Sequence, residues 1–212
     1  KLKKFYNDVG ILDKIDFDID EVGLPISFQW GKCKLATVSF GHGITTTPLQ
    51  LAKGYSILSN GGFDIKPTLI LKKGTKEREK RKIIEKDVSV KINNMLRKIV
   101  TSEAGTAGLA NVPGYEVGGK TGTAQKVIDG KYSRLKINTF ASIFPSSNPK
   151  FVLVVLIDEP KTSEDYIYKY RNKSGSYKGT PFNTAGWTSV EIVGNIIEKI
   201  GPILATKYMD VQ

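Results

Sequence analysis

Apolar residues in this chain recur with two rhythms, and the rhythms divide it into predicted helices and strands. At Leu51, Ala52, Tyr55 and Leu58 they return at helical spacing. Thr47 stands before them as an N-cap and Pro48 at the first helical position, so the pattern predicts a helix to about Ser59, stopped by the left-handed-tolerant pair Gly61-Gly62. A second helix is predicted from Asp87 or Val88, with Val88, Ile92, Met95, Leu96, Ile99 and Val100 as its core stripe. A third runs from about Ala185, with Val193, Ile196, Ile197 and Ile200 inward, to Gly201-Pro202. Between the second and third helices the rhythm changes. Ile137 to Phe144 and Phe151 to Ile157 read as strands joined by the turn Ser146-Ser147-Asn148-Pro149. Because Phe151 to Ile157 is apolar throughout, it is expected to be a central strand covered on both faces. Asp129-Gly130 is a hairpin turn signal. Residues 1 to 36 read as irregular, 105 to 114 as a small-residue loop, and 161 to 183 as a polar loop rich in Tyr and Lys.

The 212 residues are 40% hydrophobic and 25% charged, enough to bury a core of one domain or a large part of one. The formal net charge of +11 favours anionic partners. Yet no basic helix, Cys/His finger or interleaved aromatic-basic signature is present, so nucleic acid is not an expected partner. The run from Lys72 to Lys86 mixes both signs and reads as a solvated hairpin or loop. A single cysteine, Cys33, and a single histidine, His42, cannot build a disulfide or a zinc site. Cys33 reads as a small, partly buried residue and His42 as structural or exposed. No stretch has the ~18 apolar residues of a membrane span, and Lys1-Leu2-Lys3-Lys4 has no apolar segment behind it.

The chemistry concentrates in Gly118-Gly119-Lys120-Thr121-Gly122-Thr123-Ala124-Gln125. Read back to Gly114, the letters match G-x-x-x-x-G-K-[ST], the loop that cradles phosphates, and Asp158-Glu159 after an apolar strand imitates a magnesium-binding pair. Read forward, Lys120-Thr121-Gly122 is the K-T-G of penicillin-binding proteins and β-lactamases. A phosphate loop needs a buried strand before Gly114 and a helix directly after Thr121. Gly108 to Pro113 suits no central strand, and Asp129-Gly130 leaves little room for the helix. The K-T-G reading needs Lys120 at the start of an edge strand that turns back as a hairpin, and the sequence supplies it. Lys120 then brings positive charge near a nucleophilic serine, and the hydroxyls of Thr121 and Thr123 can donate to a ligand carboxylate. Gly122 clears a side chain from the ligand's path, and a backbone N–H near Thr123 can face a developing oxyanion.

With Gly41 to Ala52, Leu58 to Gly62, Val112 to Tyr115, Gly119 to Lys126 and Ile157 to Pro160, the chain resembles the transpeptidase domain of class B penicillin-binding proteins, most of all the cell-division, septum-building type. The likeness extends from about Phe5 to Ile203. It implies the α/β (α+β) fold of serine transpeptidases and β-lactamases, an antiparallel sheet with helices on both faces, here without the N-terminal half of the domain. About 1–110 would be the mostly helical and loop part, and about 111–204 the K-T-G strand, sheet and last helix. It implies a D,D-transpeptidase working through an acyl-serine, with Lys120 and Thr123 catalytic and Thr121, Gly122 and Thr123 substrate-binding. Stem peptides ending in D-Ala-D-Ala and β-lactams are the implied ligands, and division-complex membrane proteins the implied partners. No cofactor or metal is expected, and Asp158-Glu159 should end a core strand. The implied location is the periplasmic face of the bacterial inner membrane, with an anchoring helix outside this chain.

Such enzymes carry the nucleophile in S-x-x-K and a second motif S-x-N. Ser133 to Lys136 and Ser147 to Lys150 match the first and Ser146 to Asn148 the second, but all follow K-T-G in the chain and none opens a helix. The 212 residues are therefore expected to hold one wall of the site without its serine, and to be inactive alone. The alternatives are a nucleotide-binding protein using Gly114 to Thr121 as a phosphate loop, and a non-catalytic peptide-binding fragment using the edge strand.

Overall fold

Thr47 starts its helix by the chemistry its type predicts: its hydroxyl accepts from Gln50 N–H at 3.2 Å while the Gln50 side chain accepts from Thr47 N–H at 3.0 Å. The computed structural model describes residues 1–26, 29–71, 81–171, 174–179 and 182–208, so residues 72–80 of the charged run lie outside the described residues. The chain divides into two compact units, Lys1–Ser89 and Val90–Gln212.

In the first unit, α1 (Leu2–Asp8), α2 (Lys32–Val38) and α3 (Pro48–Ser59) are joined by turns and extended loops. The reading of residues 1 to 36 as irregular is corrected by α1 and α2, short helices that tertiary contact secures: Tyr6 donates to Val38 O at 2.8 Å, and Val9 and Val38 are buried. Cys33 is exposed, not partly buried, because α2 turns Val38 inward. His42 is exposed as well. On α3 the deeply buried residues are Gln50, Gly54, Ile57 and Ser59, whereas the predicted stripe is only half-buried. Gln50 can go inside because its amide donates to the carbonyls of Gly10 and Asp13. Gly61 and Gly62, at φ 90° and 95°, end the helix. Beyond them an antiparallel bridge pairs Phe63 with Lys82.

α4 (Lys86–Thr101) carries the boundary between the units. Its buried positions are Ser89, Asn93, Leu96 and Val100, while Val88 and Met95 of the predicted stripe are exposed. The inward face is thus turned one residue from the most apolar one. Ser89 earns its place through Oγ, which donates to Leu58 O at 2.6 Å and accepts from Gly61 N–H at 3.1 Å.

The second unit is built on an antiparallel sheet of β1 (Gly118–Ile128), β2 (Lys131–Phe144) and β3 (Phe151–Asp158), in the order β1-β2-β3. Asp129 and Gly130 close the β1–β2 hairpin with φ 50° and 75°, the two left-handed residues of a tight hairpin turn. The expectation that Phe151 to Ile157 would be central is corrected: β2 is the middle strand, with every residue from Phe140 to Phe144 buried, and β3 lies outside it, half-exposed. A continuous apolar run does not distinguish an inner strand from an outer one whose face is covered by a helix.

That helix is α5 (Ser189–Tyr208), whose Val190, Val193 and Ile197 pack with Phe140, Phe144, Val100 and Leu109 in the main core. It does not stop at Gly201-Pro202. Gly201 lies against the Tyr115 ring, where any Cβ would collide, and the helix continues through Pro202 to Tyr208. Nor is 161 to 183 only loop. β4 (Ile167–Lys169) and β5 (Ser176–Lys178) pair across it, with Tyr168 buried and donating to Trp187 O at 2.9 Å.

Candidate active site

β1 is an edge strand among the described residues, and its position is fixed from its first residues. Arg97 of α4 donates to Val117 O at 2.8 Å and to Asn111 Oδ1 at 3.0 Å, holding the chain just before Gly118. Burial holds the Arg97 guanidinium below its ordinary pKa, with Glu116 acting in the opposite sense. Successive strand positions face opposite ways, so the two glycines serve two contacts. A Cβ on Gly118 would lie 3.0 Å from the Arg97 nitrogen of α4, and one on Gly119 2.5 Å from the Phe140 ring, on the face that α5 covers. Both glycines are required by close packing.

Gly122 is different. It is exposed, and a Cβ there would meet nothing nearer than Thr139 O at 3.9 Å, so the described chain gives no reason for glycine. A backbone left bare for an approaching ligand supplies one. Lys120, two residues back, is exposed, with its ammonium on Thr121 O at 2.8 Å. It lines an open groove of about 320 Å³ with Lys98, Ile99, Ser102, Ala104, Gly105 and Thr106. Two lysines and two hydroxyl side chains give this groove a cationic, donor-rich lining.

The strand's hydroxyls have partners of their own. Thr121 Oγ1 is 2.9 Å from Thr106 Oγ1, and Thr123 Oγ1 accepts from Ala185 N–H at 3.1 Å. At the far end a bulge between Gln125 and Val127 leaves Lys126 out of the ladder. Its ammonium reaches Asp158 Oδ1 at 2.7 Å and Glu159 Oε1 at 2.6 Å, tying β1 to the end of β3. Asp158 first, then Glu159, raises the Lys126 pKa above the ordinary lysine value. The acidic pair thus holds a lysine where a magnesium site had been the rival reading.

The structure brings Lys120, Thr121, Gly122 and Thr123 together on one edge strand. It also removes the phosphate-loop reading of Gly114 to Thr121: β1 continues as strand from Gly118 to Ile128, so no helix N-terminus follows Thr121 to hold a phosphate. The serine motifs are set apart. Ser133 and Lys136 lie within strand β2, so that serine opens no helix. Ser147 gives both its N–H and its hydroxyl to Glu116 in the β2–β3 turn. Thr106, Lys126, Asn138 and Ala185 are contributors the sequence reading missed. Asn138 alone left a signal, the one amide side chain in the predicted strand Ile137 to Phe144.

An edge strand carrying K-T-G, backed by a sheet and a C-terminal helix, defines the class of penicillin-recognising transpeptidase domains. The comparisons with known proteins agree. The family "Penicillin binding protein transpeptidase domain" matches residues 1–183, and the chain belongs to it. It is 30% identical over 217 residues to "Probable peptidoglycan D,D-transpeptidase FtsI" of Caulobacter vibrioides, covering 98% of this chain and 34% of that protein. It is 33% identical over 221 residues to "Stage V sporulation protein D" of Bacillus subtilis, covering 98% and 31%. The chain therefore spans about a third of the length of these curated relatives. The transpeptidase domain of Burkholderia pseudomallei penicillin-binding protein 3 superposes with a TM-score of 0.78 at 22% identity, covering 100% of this chain and 59% of that one. Penicillin-binding protein 3 of Mycobacterium tuberculosis, solved with ampicillin, does so with a TM-score of 0.72 at 22% identity, covering 94% and 45%. The mixed helix and antiparallel-sheet fold is that of these domains.

Proposed function

We propose that this chain supplies the K-T-G wall of a D,D-transpeptidase that cross-links peptidoglycan stem peptides during septum synthesis, and that β-lactams occupy the same wall. The exposed Gly122, for which the described chain offers no packing reason, carries the reading. The serine oxygen attacks the carbonyl carbon of the penultimate D-Ala, the C–N bond to the terminal D-Ala breaks, and that residue leaves with a proton as its amine forms. The amine of a second stem peptide then displaces the serine. Lys120 supplies positive charge beside the serine, the hydroxyls of Thr121 and Thr123 donate to the terminal carboxylate, and Thr123 N–H faces the oxyanion. Neither serine motif in these residues is placed for this chemistry, so the nucleophile belongs to sequence outside them. The reaction takes place at the outer face of the bacterial inner membrane, beside division-complex membrane proteins.

Labelling by a fluorescent penicillin tests this in the natural protein that contains the chain. Lys120→Ala should slow acylation by roughly two to three orders of magnitude, the scale of losing one preorganised charge or donor. Because Lys120 is exposed, the melting temperature should hold. Acylation at the parent's rate would remove Lys120 from the mechanism, and label mapped to Ser133 or Ser147 would overturn the assignment of the serine.

A further inference from the structure

We propose that Asn138 is a positioning residue that sets the hydroxyls of Thr121 and Thr123 as donors toward the ligand carboxylate; the proposal rests on the site reading above. In the β1–β2 ladder Asn138 lies directly opposite Thr123, so the two side chains share a face. Asn138 is fully buried, and its Nδ2 donates twice, to Asn183 O at 3.0 Å and to Thr188 Oγ1 at 2.7 Å. These bonds hold both ends of the short segment 183–188. Thr188 Oγ1 in turn donates to Thr184 O at 3.0 Å, and Lys136 Nζ donates to Asn183 Oδ1 at 2.7 Å.

The segment held in this way touches the Thr123 hydroxyl of the K-T-G strand directly and reaches that of Thr121 through Thr106. Ala185 N–H donates to Thr123 Oγ1, which occupies one lone pair and leaves the hydroxyl proton to find an acceptor on the open side. Gly186 seats against the loop before β1, where a Cβ would come 2.7 Å from Thr106 O. Gly105 fits that loop against the carbonyls of Ile99 and Ser102. Thr106 is therefore fixed from both sides, and its hydroxyl meets that of Thr121 at 2.9 Å. When Thr106 donates, the Thr121 proton also faces outward. Two aligned donors suit an anion and reject a neutral ester. Without Asn138 the segment loses the bonds that fix its distance from β1, and both hydroxyls regain free rotation.

The test uses the natural protein containing this chain, with benzylpenicillin and its methyl ester as probes. The readout is the ratio of their second-order acylation rate constants, with the melting temperature measured alongside. The parent should favour the acid. Asn138→Ala and Thr188→Val should each lower that preference by roughly ten- to a hundredfold, the worth of hydrogen bonds to a charged group. Thr188→Ser, which keeps the hydroxyl, should restore it. Because Asn138 is buried, Thr188→Val carries the test independently of how Asn138→Ala folds. If Thr188→Val keeps the parent's ratio, or slows both probes equally, the positioning role is overturned while the site stands. A parent that reacts equally with acid and ester overturns the carboxylate site, and this proposal with it.

Discussion

Gly119 and Gly122, three positions apart on one strand, are glycine for opposite reasons, and alanine at each separates them. Gly119→Ala drives a methyl into the Phe140 ring and the Ala141 carbonyl, an overpacking that should cost about 1–3 kcal/mol, measurable by thermal or urea unfolding. Gly122→Ala meets only ordinary contact with Thr139, so stability should hold while penicillin acylation falls. An unchanged acylation rate in Gly122→Ala would leave that glycine without a ligand to explain it. Lys120 and Gly122 are exposed in the described chain, as residues kept for a ligand would be.

Among the elements, β1 and α5 each contain a residue that breaks a local rule. Lys126 stands at the register break opposite residues 133–135, and its charge ties the strand to Asp158 and Glu159. Its raised pKa fixes the sign of the pH effect. The tie is fully present below the unfolded lysine value of 10.5 and is lost as pH rises through the higher folded one. A Lys126 Nζ titration by NMR should accordingly show a midpoint above 10.5, and Asp158→Asn should bring it down. Pro202 sits inside α5, where it has no N–H to donate. Pro202→Ala should stabilise the fold, by as much as about 3 kcal/mol if the helix relaxes fully, and so raise the melting temperature. A lower melting temperature would mean that the ring is packed where alanine is not enough.

Across the whole molecule, the legible features were those written in local chemistry. The Thr47-Pro48 helix start, the Asp129-Gly130 turn and the edge position of Lys120 to Gln125 all follow from residues within a few positions of each other. Depth depends on distant partners and was not legible. Ser89 and Asn93 lie inward ahead of Val88 and Met95, Gln50 is buried because two remote carbonyls accept its amide, and residue 201 is glycine because the Tyr115 ring fills the space a Cβ would need and not because the helix stops there. Similarly, Thr106, Asn138 and Ala185 reach the site from far along the chain. The net charge of +11 is a property of the whole surface. Sedimentation with isolated cell-wall sacculi should weaken steeply as salt shortens the Debye length from about 30 Å at 0.01 M to about 8 Å at 0.15 M. Binding indifferent to salt would point to local contacts instead.

The ladder between β2 and β3 ends at Ile137 and Asp158, whereas the one between β1 and β2 continues to Ile128 and Lys131. The hairpin tip therefore projects beyond its third strand, carrying Val127, Ile128 and Tyr132 exposed. Such a tip is a place to add sequence. A short affinity peptide or a fluorophore-accepting loop inserted between Asp129 and Gly130 would stand clear of the core, with the Lys126 tie isolating the graft from Thr123. The chain thus offers a built-in attachment point from which the protein could be imaged or captured while the K-T-G edge stays open.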